Sequence, residues 1–170
     1  MVTTVTPDEF RQVMRNWAST VTIVTTRTPD RIHGLTATAF SSLTINPPEI
    51  FVSIFKRTAT HPMIEQSGIF CVNLLAPEMR HISDRFAGRV PNEERFDGVR
   101  HREEATGAPV LEDALAFLDC RVERALDTGD HTIFVGRVMA AGIQKPDALP
   151  LLYFQGQYRL LGELAGDRST

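Results

Sequence analysis

Four stretches of this chain combine residue types suited to holding a flat or phosphorylated ligand. Gly34-Leu-Thr-Ala-Thr-Ala-Phe-Ser-Ser-Leu-Thr44 carries no charge and five hydroxyls. Strand alternation predicts Thr36, Thr38 and Phe40 on one face and Leu35, Ala37 and Ala39 on the other. Small side chains let a flat ring approach the backbone, and the hydroxyls of Ser41 and Ser42 add donors for a phosphate. A threonine-rich, half-buried strand would read the same way. Phe51-Val-Ser-Ile-Phe55 puts Phe51, Ser53 and Phe55 on one face. Lys56-Arg57-Thr58-Ala59-Thr60 follows, a basic pair with two hydroxyls that could seat a phosphate or form a solvated turn. Gly129-Asp-His131 heads a strand, where an imidazole can bond a carboxamide or phosphate, move a proton, or simply pack a turn. Tyr153-Phe-Gln-Gly-Gln-Tyr158 sets two aromatics around Gly156, able to stack on a ring or to fill a sheet.

Several chemistries find no motif. There is no G-x-G-x-x-G, no G-x-x-x-x-G-K-[ST], no G-x-S-x-G and no H-E-x-x-H, which argues against Rossmann and P-loop nucleotide sites, hydrolase elbows and zinc proteases. The five histidines, at 33, 61, 81, 101 and 131, have no ligand-like spacing, so no metal is expected. Cys71 and Cys120 sit singly in apolar runs and read as buried, reduced thiols.

The elements that must position these residues are mostly strands. Thr6-Pro-Asp-Glu9 is a capping box with proline at the first helical position. The helix is expected through Asn16, with Phe10, Val13, Met14 and Trp17 on one apolar face. Val21 to Thr26 is β-branched throughout, Thr28-Pro-Asp-Arg31 is a turn, and Ile32 to Phe40 completes a hairpin. Further strands are expected over Glu49–Phe55, Gly68–Leu75, Leu115–Leu126, His131–Ile143, Leu151–Phe154 and Gln157–Leu161. Short helices are expected over His61–Gln66, capped by Thr60, and over Pro77–Phe86. Ala87 to Pro109 reads as a loop. Strands follow strands, which points to a mainly β, antiparallel barrel or sandwich in one domain spanning 1–170.

With 170 residues, 18 Lys+Arg against 21 Asp+Glu, 42% hydrophobic and 23% charged residues, the chain has the profile of one globular domain, without the basic surplus of a nucleic-acid binder. No uncharged apolar run reaches membrane length. The opening MVTTVTPDEFRQV lacks a basic start and apolar core, so a cytoplasmic location is expected.

Taken together, and in this order, these segments resemble the flavin reductase family, the short-chain NAD(P)H:flavin oxidoreductases that serve two-component monooxygenases. The resemblance runs from Phe10 to about Leu161. It rests on Trp17-Ala-Ser-Thr-Val-Thr-Ile-Val-Thr, Gly34-Leu-Thr-Ala-Thr-Ala-Phe-Ser-Ser, Pro47-Pro48, Ser53-Ile-Phe-Lys-Arg-Thr, Phe70-Cys-Val-Asn-Leu-Leu75, Gly129-Asp-His131 and Tyr153-Phe-Gln-Gly-Gln-Tyr-Arg159. It implies an FMN-binding split β-barrel with a few flanking helices, a homodimer, FMN or FAD as flavin and NADH or NADPH as co-substrate. It further implies a separate monooxygenase that receives the reduced flavin, with no nucleic-acid or membrane partner. The flavin-binding positions would be Thr36, Ala37, Thr38, Ala39, Ser41, Ser42, Ser53, Ile54, Phe55, Lys56, Arg57, Thr58 and Thr60, with Ala87, Gly88 and Arg89 at the phosphate or adenylate. His131, Tyr153, Gly156 and Tyr158 would serve the nicotinamide. No side chain is expected to be catalytic, because the two nucleotides carry the hydride transfer. A split-barrel oxidase of the pyridoxamine-phosphate-oxidase type, or a non-catalytic flavin- or haem-binding barrel, would share the fold. Open sheet edges favour a dimer, with the N-terminal helix and Phe70–Leu75 as candidate contact regions.

Overall fold

The computed structural model describes residues 4–162. The capping box at Thr6 forms: Glu9 N–H donates to Thr6 Oγ1 at 3.3 Å, and Thr6 N–H donates to Glu9 Oε2 at 2.8 Å. The helix it starts, α1 (Pro7–Met14), ends two residues before the expected Asn16. Its apolar face exists, but among the described residues none of it is buried.

The strands are β1 (Ser19–Thr20), β2 (Thr22–Arg27), β3 (Ile32–Ala37), β4 (Phe40–Ile45) and β5 (Pro48–Phe55). Helix α2 (Thr60–Ser67) leads into β6 (Ile69–Leu74). A tight turn (Pro77–Met79), α3 (Arg80–Asp84) and a wide turn (Arg85–Arg89) follow. Then come β7 (His101–Glu103), β8 (Pro109–Leu111), β9 (Ala116–Thr128), β10 (His131–Ile143), β11 (Leu152–Phe154) and β12 (Gln157–Arg159). Seven strands form one sheet in the order β3-β2-β6-β9-β10-β5-β4, and every pairing in it is antiparallel. Its two outer strands, β3 and β4, are consecutive in the chain. Ala37 and Phe40 are three Cα steps apart, at most about 11 Å, so the sheet must curl until its edges meet at one corner. There Ser53 N–H donates to Ala39 O at 2.9 Å. Elsewhere β3 and β4 are not paired, which makes a barrel split along one seam.

The expected hairpin of β2 with β3 forms, but this corner shortens the strand expected over Ile32–Phe40. The strand stops at Ala37 and a new one starts at Phe40, whose N–H turns back to Thr38 O at 3.1 Å. Alternation therefore does not carry Thr36, Thr38 and Phe40 onto one face. The expected N-cap also shifts: Ala59 occupies the cap of α2, while Thr60 Oγ1 lies 2.7 Å from His33 Nδ1 in the interior.

The β-branched run of β2 reflects burial on both faces. Val24 packs in the barrel with Ile50, Val52, Ile54, Ile64, Phe70 and Phe134. Ile23 packs on the other side with Val21, Leu75, Met79, Phe86, Leu111 and Leu151. The buried threonines between them are satisfied by carbonyls: Thr22 donates to Ala37 O at 2.7 Å, Thr25 to Pro109 O at 2.5 Å and Thr26 to Ile69 O at 2.7 Å. β6 runs through the middle of this sheet, with Phe70, Cys71 and Val72 fully buried. It cannot form the intermolecular contact expected of Phe70–Leu75. Cys71 and Cys120 are both free and buried, and burial pushes both thiols well above their usual range, as expected of inert structural cysteines.

The segment expected to be a loop, 87–109, is ordered by contacts of its own. Phe96 packs edge-on against Phe86 at 5.0 Å and against His101 at 5.3 Å. Arg95 Nη1 donates to Gly34 O at 2.9 Å. Gly34 makes this docking possible, since a Cβ there would lie 2.9 Å from the Phe86 ring. The turn that follows Asp84 is thereby pinned onto β3.

Candidate functional site

A cleft of about 520 Å³ opens where β3 ends, within the range of small-molecule and cofactor sites. Its floor is Thr36, Ala37 and Thr38, its first wall is Arg80, Asp84, Ala87 and Arg89, and its second is Tyr153, Gly156, Gln157 and Tyr158. Because β3 is an outer strand, the backbone at its end is open to a ligand.

Each wall is held by hydrogen bonds. Thr36 Oγ1 donates to Ser83 O at 2.6 Å, tying the floor to α3. The Tyr158 hydroxyl lies 2.9 Å from both Ser83 Oγ and Asp84 Oδ1, joining the two walls. Burial, chiefly, raises the Tyr158 phenol above its usual range, so it stays protonated at neutral pH. The Arg80 guanidinium stands 5.2 Å over the Tyr158 ring, and Arg89 Nη2 is 3.3 Å from Asp84 Oδ1. Gly88, with φ of 93°, takes the left-handed turn that presents Ala87 and Arg89. The second wall is the β11–β12 hairpin, with Tyr153 and Tyr158 edge-to-face at 5.6 Å. It is fixed by the β1–β11 pairing of Ser19 with Tyr153. Two guanidiniums against one carboxylate leave the walls cationic, suited to an anionic phosphate, while the aromatic pair and the small Ala37 suit a planar ring.

Of the residues singled out in the sequence, the structure brings Thr36, Ala37, Thr38, Ala87, Arg89, Tyr153, Gly156 and Tyr158 into this cleft. A second group lies along the other lip of the seam. Ser53 and Phe55 lie at the end of β5 with Lys56 just beyond it, and His131 pairs with Phe55 across β5 and β10, the two rings 5.2 Å apart. His131 Nδ1 lies 2.7 Å from Asp130 Oδ1, a contact that holds the Asp130 carboxyl below its usual range. Lys56 Nζ donates to Asp127 Oδ1 at 2.6 Å and to Gly129 O at 2.7 Å, so two of its three protons bind the β9–β10 turn. Ala39 joins the lips through Ser53. Thr58 Oγ1 donates to Phe55 O at 2.8 Å. The Ile54 side chain is in the barrel core, leaving only its backbone to a ligand. Thr60 is buried with His33. Ser41 and Ser42 are exposed on β4, and Arg57 is exposed beyond β5.

Arg80, Asp84 and Gln157 line the cleft without having been singled out. Arg80 and Asp84 are four apart on α3, one charged helix face, a signal that was present in the Pro77–Phe86 segment. Among the described residues no cluster of His, Cys, Asp and Glu could hold a metal, and no helix is long and apolar enough to cross a membrane.

The fold is that of the flavin reductases, and the chain belongs to the flavin reductase-like domain family, whose model matches residues 14–162. It is 37% identical over 150 residues to the FMN reductase (NADH) RutF of Variovorax paradoxus, covering 88% of this chain and 83% of that protein. It is 36% identical over 152 residues to the flavin-dependent monooxygenase reductase subunit HsaB of Rhodococcus jostii, covering 89% and 76%. Among solved structures, BorF, the flavin reductase component of a bacterial two-component tryptophan halogenase, superposes with a TM-score of 0.84 at 35% identity, over 93% of this chain and 99% of that one.

Proposed function

We propose that this NAD(P)H:flavin oxidoreductase binds FMN or FAD in the cleft at the end of β3 and passes the reduced flavin to a separate oxygenase. The cationic wall beside an open strand edge is the observation that carries the site assignment. The residues fit a flavin: Arg80 and Arg89 for the phosphate, the Thr36–Thr38 backbone for the ring edge, and the tyrosines for a ring face. When bound, the flavin and nicotinamide supply the hydride chemistry themselves. The chain's part is to bind and to orient. Tyr158, pinned by Ser83 and Asp84, keeps the hairpin wall at a fixed distance from α3. The Ser53–Lys56 segment and His131, on the β5–β10 side of the corner at Ala39, are where the nicotinamide is expected. The role of HsaB as the reductase subunit of a monooxygenase supports delivery to an oxygenase, and BorF, which serves a halogenase, supports delivery to a separate component. The test is NADH oxidation with and without added FMN or FAD; absence of flavin-dependent turnover at any flavin concentration would remove the reading.

His131 has a binding role in this scheme. With Nδ1 engaged by Asp130, Nε2 is the ring nitrogen left for a ligand. His131→Ala should raise the KM for NADH about tenfold and leave kcat within about twofold, the pattern of lost uniform binding. An unchanged KM beside a lowered melting temperature would make it a turn-packing residue.

The dimer belongs to the same reading. β4 is an edge strand with Ser41 to Ile45 exposed, Ile45 at 93%, and such edges are usually covered. Sedimentation at micromolar concentration should give twice the chain mass. A single-chain mass would contradict it. The two free, buried thiols suit the cytoplasmic location expected of the chain.

A further inference from the structure

Helix α3 sets a carboxylate inside the wall that would bind a phosphate. Among the described residues lining the cleft, Asp84 is the one acid, beside Arg80 and Arg89. Its Oδ1 accepts from the Tyr158 hydroxyl at 2.9 Å and lies 3.3 Å from Arg89 Nη2. This carboxylate is held where it is from two sides. Tyr158 belongs to the β11–β12 hairpin. Ser83, the residue before Asp84, is tied to β3 through its carbonyl, which accepts from Thr36 Oγ1 at 2.6 Å. The Asp84 side chain is 22% exposed against 71% for Arg89, so the acid is the inner partner of the pair and the guanidinium the outer one.

We propose that Asp84 is an internal competitor for the flavin phosphate, which weakens the hold of the cleft on phosphorylated flavins so that the reduced flavin can leave. The proposal rests on the cleft reading given above. A phosphate entering this wall must draw Arg89 away from Asp84 and then stand close to a fixed like charge. The charge is not needed for the hydrogen bond, because an amide or hydroxyl oxygen would accept from Tyr158 as well. Nor is it needed for folding, since an ion pair with an exposed arginine contributes little to stability. What the charge does change is the potential at the phosphate seat. A reductase that hands its product to a second protein has a use for that change. Two unopposed guanidiniums would slow the departure of FMN, and affinity is set mostly through such departure rates. The opposite role, a clamp that orients Arg89 toward the phosphate, would strengthen binding instead, so the sign of the effect separates the two.

Asp84→Asn keeps an oxygen for the Tyr158 hydroxyl and removes only the charge. FMN should bind this variant about tenfold more tightly than the parent at low ionic strength, and stopped-flow displacement should show the gain as slower FMN release. Oxidised FMN serves as the probe, because its phosphate is that of the reduced form. Riboflavin, with the same ring and no phosphate, should bind both proteins equally. In about 1 M salt, where the screening length falls to about 3 Å, the FMN gain should shrink. A merely structural loosening of the wall would produce neither the phosphate dependence nor the salt dependence. Asp84→Ser carries the same expectations if the asparagine variant does not fold. An FMN affinity that is unchanged in the variant overturns the proposal, and a lower one makes Asp84 the clamp. An equal gain for riboflavin overturns it as well. FMN-dependent NADH oxidation by the parent protein tests the cleft separately and survives each of these failures.

Discussion

An Arg80→Ala/Arg89→Ala double variant should bind FMN at least about a hundredfold more weakly than the parent. A hydrogen bond to a charged group contributes about 1.5–3 kcal/mol, so two such bonds to a phosphate are worth about 3–6 kcal/mol, with 1.4 kcal/mol per tenfold. Asp84 enlarges the effect. In the parent it offsets one of the two guanidiniums; in the variant it faces an incoming phosphate alone. Folding should be little affected, because the Arg89–Asp84 pair is largely exposed on the arginine side, at 71%, and such pairs contribute little to stability. Fluorescence titration with FMN, beside a melting curve, reads both quantities. A loss of less than threefold would remove the cationic wall from the flavin site.

Gly136→Ala should destabilise the protein severely while leaving the cleft residues untouched. A Cβ at Gly136 would lie 2.5 Å from Phe70 Cζ and 2.9 Å from Cys120 Cβ. Phe70 and Cys120 are fully buried, so neither has space to retreat. The β9–β10 register shifts between Val135 and Gly136, which places this close approach at a bulge. Overpacking of this kind costs about 1–3 kcal/mol or more, and for a chain of this size each kcal/mol lowers the melting temperature by about 2–4 °C. A fall of about 10 °C is expected. Phe70→Leu in the same protein should recover part of it, since contacting residues couple. A melting temperature within about 2 °C of the parent would show that the barrel yields at this point.

Features encoded by neighbouring residues were legible in the chain. The capping box at Thr6, the β2–β3 turn at Thr28–Arg31 and the long strands meeting at Asp127–Asp130 each depend on local chemistry, and each forms as read. The corner at Thr38–Ala39 does not depend on local chemistry. It contains no glycine or proline, and alternation runs through it without a break. It bends because two sheet edges far apart in strand order must meet there, a non-local demand. The apolar face of α1 was legible as a face, while what covers it was not, since periodicity carries no information about partners. Lys56 shows the same limit. A basic pair after a strand suits a phosphate, but the β5–β10 register sets Lys56 beside the turn holding Asp127 and Gly129. Of the cleft, the resemblance marked the floor, the Ala87–Arg89 turn and the tyrosine hairpin. Arg80 and Asp84 stayed hidden because they sit in a helix that read as scaffold.

The pairing of Ser19–Thr20 with Leu152–Tyr153 joins segments more than 130 positions apart. During synthesis the floor and the arginine wall emerge before the hairpin that carries both tyrosines. Contacts of such long separation form late. A nascent chain can therefore close its barrel core before it has a second wall for the cleft. The cleft therefore gains its second wall only once the β11–β12 hairpin has left the ribosome, and any ligand that needs both walls must wait for it.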